Sequence, residues 1–289
     1  ERVRQIISDA INKVSRFSDS GVFKLAEEKI ILEILGNSGI ISEENLIEKF
    51  GANDLMESNA VVFLANCSDK ISSVEEKGLI KKSWIVSKNI LADVKKINEL
   101  ASAVLDEAKS PLTDAEIAQK IMAKNKDLSK KEILDLLSVL KNISKNKFSK
   151  WGLSGWMEIN PKGTRERIYL VLKEEKKPLH FREIAKLIDK SGINKKKSHP
   201  QTVHNELIKD KRFVLIGRGI YALGEWGYVP GTIKNVLENI LNESGRPMTK
   251  EEVIEAVLKM RKVKKTTIMI NLNNKKMFMK QDDKYMLKK

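Results

Sequence analysis

The sequence contains few of the residues that build disulfides, metal sites and membrane spans. Its 289 residues include one cysteine, Cys67, and three histidines. A single cysteine excludes an internal disulfide and fits a reducing compartment, where a buried, inert thiol is expected. No apolar run is long enough to span a bilayer, and the N-terminus lacks a signal-like pattern. We therefore expect a protein of the bacterial cytoplasm or nucleoid that has no membrane partner.

Residues that would support catalysis or cofactor binding are also scarce. The histidines, His180, His199 and His204, have neither cysteines nor a carboxylate cluster nearby with which to hold a metal ion, and His180 is better explained as a helix start. Gly217 and Gly219 do not follow a strand and open a helix, so a hairpin turn explains them better than a nucleotide-binding loop. No paired-carboxylate or Ser-His-Asp pattern occurs. The sequence predicts a non-enzyme without metal, cofactor or small-molecule substrate.

Positive charge is abundant and unevenly distributed. The formal net charge is +15; residues 161–289 hold 30 Lys+Arg and 15 Asp+Glu, whereas residues 1–160 hold 24 of each. Such an excess in one part of the chain predicts a basic surface for a polyanion. The alternative is a set of solvated lysine-rich helices with no polyanionic partner. Residues 1–84 are net acidic, with 11 Lys+Arg and 14 Asp+Glu, and are poor candidates for phosphate contacts.

The same order of elements recurs four times along the chain. Each repeat has three helical patterns followed by a hairpin pattern, which is typical of a winged helix-turn-helix. Pro111, Pro178 and Pro247 lie 67 and 69 residues apart, a spacing that favours tandem domains over a solenoid. The predicted fold is mainly α with small β-hairpin wings. Its predicted parts are an N-terminal helix in residues 1–23 and winged-helix modules 1 to 4 in residues 24–90, 91–160, 161–228 and 229–289.

The hairpin wings are predicted at the end of each module. They are placed in residues 71–85, 148–156, 213–223 and 276–287. Four tryptophans accompany the first three modules: Trp84, Trp151, Trp156 and Trp226. A tryptophan at this position is interpreted as sealing the wing onto the first helix, and the alternative is a stacking platform for single-stranded bases.

Module 3 carries a family resemblance. Its "PLHFREIAKLID" and "HPQTVHNELIKDKRFVLIGRGIYALGEW" follow a first helix, and the Gly-x-Gly-x-Tyr-x-Leu hairpin and terminal Trp occur in order. This pattern resembles the HARE-HTH family, the winged-helix module of the delta subunit of bacterial RNA polymerase and of several chromatin and DNA-modification proteins. The resemblance implies a module linked to nucleic acid or to transcription, and not a catalytic one.

A second resemblance lies at the start of the chain. "ERVRQI" followed by an amphipathic helix is similar to the end of the recognition helix in the fourth conserved region of primary sigma factors. In that family the matching positions, Arg2, Arg4 and Gln5, face DNA, and the absence of an initiator Met suggests that preceding helices were removed. The alternative is an ordinary amphipathic helix, whose predicted core residues are Val3, Ile6, Ile7, Ile11 and Val14.

Winged-helix geometry converts these patterns into predicted DNA contacts, because the third helix can lie in the major groove while the wing reaches the backbone. In module 3 the predicted base-reading residues are Gln201, Thr202, His204, Asn205 and Lys209, with Val203 and Leu207 turned into the core. The predicted phosphate contacts there are Lys195, Lys196, Lys197, Arg212 and Arg218. In module 4 the matching residues are Lys262, Lys264, Lys265, Thr266, Thr267, Asn271, Lys275 and Lys276.

The sequence thus predicts a transcription-associated protein that binds duplex DNA through modules 3 and 4, in the manner of a sigma factor or an RNA polymerase-associated protein. Modules 1 and 2 are expected to contact protein or to space the array. One alternative is a docking subunit that binds core RNA polymerase without binding DNA. The other is a nucleic-acid scaffold in RNA processing or DNA repair.

Overall fold

The computed structural model describes residues 2–15, 21–51, 54–76, 78–194, 196–228 and 230–288. The chain forms two compact units, residues 1–160 and residues 161–289. The described residues form α-helices and small antiparallel sheets of three strands, so the fold is mainly α with β-hairpin wings, as predicted. The boundaries between the four modules stay a prediction, and the module numbers are kept as labels.

The first unit begins with two long helices and a first small sheet. The elements are α1 (Arg2–Ser15), α2 (Gly21–Gly36), β1 (Ile40–Ser42), α3 (Glu43–Lys49), α4 (Leu55–Cys67), β2 (Ser72–Val74) and β3 (Ser83–Ile85). Side-chain oxygens of Ser42 and Asp54 accept hydrogen bonds from backbone N–H groups at the starts of α3 and α4, which fixes both helix starts. Strand β3 pairs with β1 and β2, and its Trp84 is buried among Ile34, Ile41 and other apolar residues.

The second half of this unit repeats the order. Its elements are α5 (Ile90–Ala108), β4 (Leu112–Thr113), α6 (Asp114–Lys124), α7 (Lys130–Ser138), β5 (Ile143–Lys145) and β6 (Lys150–Leu153). Thr113 and Ser129 begin α6 and α7 with capping boxes. The predicted wing in residues 148–156 was misplaced, because its first strand, β5, begins at Ile143 and residues after Leu153 form turns.

Modules 1 and 2 share one core. Ile40 and Ile85 of the first sheet pack in the same apolar cluster as Ile97 and Leu137. The Lys81 N–H donates to the Val139 carbonyl at 2.9 Å, and backbone bonding continues between the segments around Ile80 and Leu140. A shared core and shared backbone hydrogen bonds hold these two modules in a fixed arrangement.

The second unit contains modules 3 and 4. Module 3 comprises α8 (Thr164–Glu175), β7 (Leu179–His180), α9 (Phe181–Lys190), α10 (Pro200–Lys209), β8 (Phe213–Gly217), β9 (Ile220–Leu223) and the 3₁₀ helix η1 (Gly224–Trp226). Module 4 comprises α11 (Ile233–Ser244), β10 (Met248–Thr249), α12 (Lys250–Met260), α13 (Lys265–Leu272), β11 (Phe278–Gln281) and β12 (Lys284–Leu287). In each sheet the last strand lies in the centre, between the short strand that precedes the second helix and the first wing strand.

The tryptophans are mainly structural. Trp84 and Trp151 are buried, and the indole N–H of Trp151 donates to the Asp114 carboxylate at 2.6 Å. Trp156 and Trp226 are half-buried against apolar neighbours. Burial removes Trp84 and Trp151 as stacking platforms for bases, which confirms the packing interpretation for these two residues.

Candidate nucleic-acid interface

Helix α10 is the third helix of module 3, the one that a winged helix can present to a DNA groove. Its start is set by His199, whose Nδ1 accepts a hydrogen bond from the Gln201 N–H, and by Pro200 at the first helical turn. Val203 and Leu207 are buried, as predicted. The predicted base-reading residues on the exposed side of this helix are Gln201, Thr202, Asn205 and Lys209.

Two of these side chains already contact each other. The Gln201 side-chain amide donates to the Asn205 side-chain oxygen at 3.3 Å, so two amides with both donors and acceptors lie side by side one turn apart. Amide side chains are suited to the paired donor and acceptor of an adenine edge. Lys209 lies 3.6 Å from the Glu206 carboxylate, whose pKa is lowered mainly by a hydrogen bond from Arg165.

His204 is less available to a groove than its neighbours on α10. Its half-buried ring lies 4.5 Å from the ring of Phe181, centroid to centroid, and 5.8 Å from that of Tyr221. Phe181 in turn stacks on His180 at 4.5 Å. These rings join α10, the start of α9 and the wing, so the structure gives His204 a packing role that the sequence did not predict.

The wing turn lies directly against this ring cluster. Gly219 has a positive φ of +67°, and a Cβ at that position would lie 2.7 Å from Nε2 of His180. Glycine is therefore required both by the backbone conformation and by the close approach. The contact fixes the wing, and with it Arg218, against the helix-turn-helix.

The predicted phosphate contacts of module 3 differ in their availability. Lys196, Lys197 and Arg218 are exposed, whereas Lys195 lies outside the described residues. Arg212 is paired with the Asp210 carboxylate at 2.6 Å and stacks over Tyr169. The hydrogen bond from Arg212 lowers the pKa of Asp210, so this guanidinium already has an internal counter-charge.

Arg261 is a functional residue that the sequence did not identify. It lies at the end of α12 and is buried, and its guanidinium donates to the carbonyls of Leu215 and Gly231. Burial lowers its pKa. In sequence it belongs to a basic run that has the appearance of a solvated loop. Only the fold shows that this cation faces inward, onto the wing of the preceding module.

The next residue extends this attachment. The Lys262 N–H donates to the Ile216 carbonyl at 3.2 Å, and Gly217 is packed so closely that a Cβ there would lie 3.0 Å from the Lys262 carbonyl. The outer edge of β8 is therefore covered by module 4. We name as the basic ridge the exposed cations that follow the wing and this contact, which are Arg218, Lys262, Lys264 and Lys265.

Helix α13 is the third helix of module 4. Its predicted contacts Lys264, Lys265, Thr266 and Thr267 are exposed, whereas Asn271 is half-buried and donates to the Thr267 carbonyl at 2.8 Å. Lys275 and Lys276 are exposed in the turn before β11. Ile270, on the same helix, is 74% exposed. The outward face of α13 is thus partly apolar.

Helix α1 carries the N-terminal predictions. Arg2 and Gln5 are exposed, while the side chain of Arg4 lies outside the described residues, as do those of Val3 and Ile7. Ile6 is 58% exposed, so its predicted place in a core was wrong. The helix lies along α4, and contact on one side leaves Ile6 in solvent while Ile11 and Val14 are half-buried.

Other kinds of site find little support in the described part of the chain. It contains no group of three or more His, Cys, Asp or Glu residues that could hold a metal ion. None of its helices combines the length and the apolar character that a bilayer crossing requires. Cys67 is buried at the end of α4, and burial raises the pKa of its thiol, which disfavours the reactive thiolate.

Comparison with known proteins supports the interpretation of module 3. A comparison with curated proteins found no match to the chain. The HARE-HTH family, described as an HTH domain of ASXL and restriction endonuclease proteins, matches residues 164–226, which extend from the start of α8 to the end of η1. Module 3 therefore matches, from its first helix to the end of its wing, the HARE-HTH family of DNA-binding helix-turn-helix domains.

Proposed function

We propose that the second unit binds duplex DNA, with α10 of module 3 in the major groove and the basic ridge along the phosphate backbone. The observation that carries this proposal is the attachment of module 4 to the module 3 wing through Arg261 and Lys262. Because of it, cations from two modules follow one another without a break, next to a helix with exposed amide groups.

The charge distribution supports duplex binding by this unit. Residues 161–289 hold twice as many basic as acidic residues, whereas residues 1–160 are balanced. Phosphate contacts supply most of the sequence-independent affinity for DNA and make it dependent on salt. Gln201 and Asn205 are the proposed readers of base edges, and Thr266 and Thr267 are their proposed counterparts in module 4.

A role in transcription is the finer part of the proposal. It rests on the similarity of "ERVRQI" to a sigma-factor recognition helix and on the resemblance of module 3 to the delta subunit. In this role the first unit contacts a protein partner, with core RNA polymerase as the candidate. Its fixed pair of modules, which is balanced in charge, is suited to docking rather than to phosphate binding.

The experiment compares two matched double variants of the full chain. Lys264→Gln with Lys265→Gln removes two adjacent charges from the basic ridge, while Lys95→Gln with Lys96→Gln removes two exposed adjacent charges from α5. Duplex affinity is measured against salt concentration. We expect the first variant to lower the slope of log K against log salt by about 2, since each neutralised phosphate contributes roughly 0.9. The second variant is expected to keep the wild-type slope.

Equal slopes for both variants and the wild type would refute the basic ridge as a phosphate-binding surface. Weak duplex binding that vanishes at physiological salt would favour the alternative function, docking onto core RNA polymerase. One observation favours that alternative for module 4, because Ile270 and the half-buried Met269 give its third helix an apolar outward face. Binding of the full chain to core polymerase, compared between the wild type and Ile270→Glu, tests it directly.

A further inference from the structure

A small polar cavity lies beside the start of α10, on the side away from the wing contacts. Its volume is about 180 Å³, and it is formed by three separate parts of module 3: the first turns of α8, the loop after α9 and the first turn of α10. Its polar lining residues are Thr164, Arg167, Asn194, Lys197, His199 and Thr202. Of these, the DNA-contact predictions include only Lys197 and Thr202.

The lining has the composition of an anion site. Arg167 and Lys197 are cations, and no described residue that lines the cavity carries a carboxylate. Among the described residues, Nε of Arg167 is buried and has no hydrogen-bond partner, although the guanidinium also donates to the Lys162 carbonyl at 3.0 Å. A buried guanidinium N–H that lacks an acceptor is costly, and an anionic oxygen in the cavity would satisfy it.

The nearest acidic groups are already engaged elsewhere. The Asp189 carboxylate accepts a hydrogen bond from the Ser198 N–H at 2.7 Å, and the Glu166 carboxylate accepts from the Gly163 N–H at 2.8 Å. Both carboxylates therefore hold backbone in place. His199 accepts through Nδ1, which leaves its Nε2 as the donor position of the neutral ring.

We infer that this cavity binds a phosphate group of nucleic acid, with Arg167 and Lys197 as the cationic partners and Thr202 as a hydroxyl donor. The inference rests on the proposed function and adds a specific phosphate site to it. Neighbouring helices reach phosphates in this way in helix-turn-helix complexes, where the recognition helix enters the groove and the flanking elements hold the backbone. The phosphate is either an internal phosphodiester or a terminal 5′-phosphate, two sources of the same chemistry.

The test uses the full chain with Arg167→Gln and, separately, Lys197→Gln. The control is Lys176→Gln, which removes one exposed charge at the opposite end of α8. Each variant is titrated over a range of salt concentrations with hairpin-closed duplex and with open duplex carrying either 5′-phosphate or 5′-hydroxyl ends. Thermal unfolding checks that each variant is folded. Inorganic phosphate is titrated in parallel, with the amide NMR signals of Thr202 and His199 as the readout.

For an internal phosphodiester, both cavity variants weaken binding to all duplexes about tenfold and lower the salt slope by about 1, while the control does neither. For a terminal phosphate, the wild type prefers 5′-phosphate ends and the cavity variants lose that preference. Wild-type binding that folded cavity variants keep unchanged would overturn the inference and leave the proposed function intact. Phosphate-induced shifts without duplex binding would uphold the cavity and refute the proposed function, and the absence of both would refute the two together.

Discussion

At the scale of single residues, the same backbone conformation serves two different purposes in module 3. Gly192 and Gly219 have nearly identical positive φ values, +66° and +67°. Gly192 ends a helix in open space, where a Cβ would meet nothing within 4 Å, whereas Gly219 lies against His180 and Phe181. Conformational cost and contact cost can therefore be separated by making one substitution at both sites.

We predict that Gly219→Ala destabilises the protein more than Gly192→Ala does. Both variants carry the cost of an alanine in the left-handed region, about 1 kcal/mol or more. Only Gly219→Ala also pushes a methyl group against His180, which we expect to add roughly another 1–2 kcal/mol through displacement of the wing. Denaturant unfolding of the two variants measures the difference. Equal losses would show that the wing turn is not constrained by the ring cluster.

Single residues also show where sequence reasoning stops. The burial of Val203 and Leu207 followed from helical periodicity, and His180 was identified correctly as a helix start. The stacking of His204 on Phe181 was not predicted, because residues from two different helices meet there only after folding. The inward direction of Arg261 was missed for the same reason.

At the scale of elements, helix starts were the most predictable feature. Ser, Thr and Asp residues followed by acidic residues give a local signal, and capping boxes occur at Thr113, Ser129 and Thr249. The wing of module 2 was misplaced because the aromatic and glycine-rich residues 148–156 gave a stronger local pattern than β5 did. Strand pairing depends on partners distant in sequence, which a local pattern cannot supply.

The capping box of α12 leads to a prediction about pH. Glu252 accepts hydrogen bonds from Arg246 and from the Thr249 N–H, and these lower its pKa to about 2. A carboxyl whose pKa falls on folding stabilises the protein above its unfolded pKa, near 4.3, and this stabilisation disappears as the pH falls towards 2. We therefore expect Glu252→Gln to be less stable than the wild type at pH 7.

The stability difference between Glu252→Gln and the wild type should narrow as the pH drops from about 4.5 to 2. Glutamine can still complete a capping box, so the variant removes the charge while keeping the hydrogen-bonding shape. Thermal unfolding at several pH values checks the trend. A difference that stays constant down to pH 2 would show that the ionised carboxylate contributes nothing, and that only side-chain shape matters.

At the scale of the whole molecule, charge and core packing divide the chain between two tasks. The first unit has balanced charge and a core shared by two modules, whereas the second unit carries the whole excess of positive charge. Composition alone predicted this division of charge. The joining of modules 3 and 4 was not predictable, because it depends on one buried arginine that bonds to carbonyls 30 and 46 residues away.

Arg261 therefore provides a test of whether the two modules bind DNA as one body. In Arg261→Met the buried hydrogen bonds to Leu215 and Gly231 are lost, and we expect faster hydrogen exchange at the Lys262 amide as the modules separate. Two linked modules on one duplex gain affinity because the second contact is intramolecular. Uncoupling them should lower duplex affinity roughly tenfold to a hundredfold. The salt slope should stay unchanged, because a buried guanidinium contacts no phosphate. The control, Arg246→Met, removes an exposed arginine of the same module that bonds only locally, to Glu252 and the Pro247 carbonyl, and should keep the protected Lys262 amide. Unchanged duplex affinity in Arg261→Met, despite a faster-exchanging Lys262 amide, would show that modules 3 and 4 act independently on DNA.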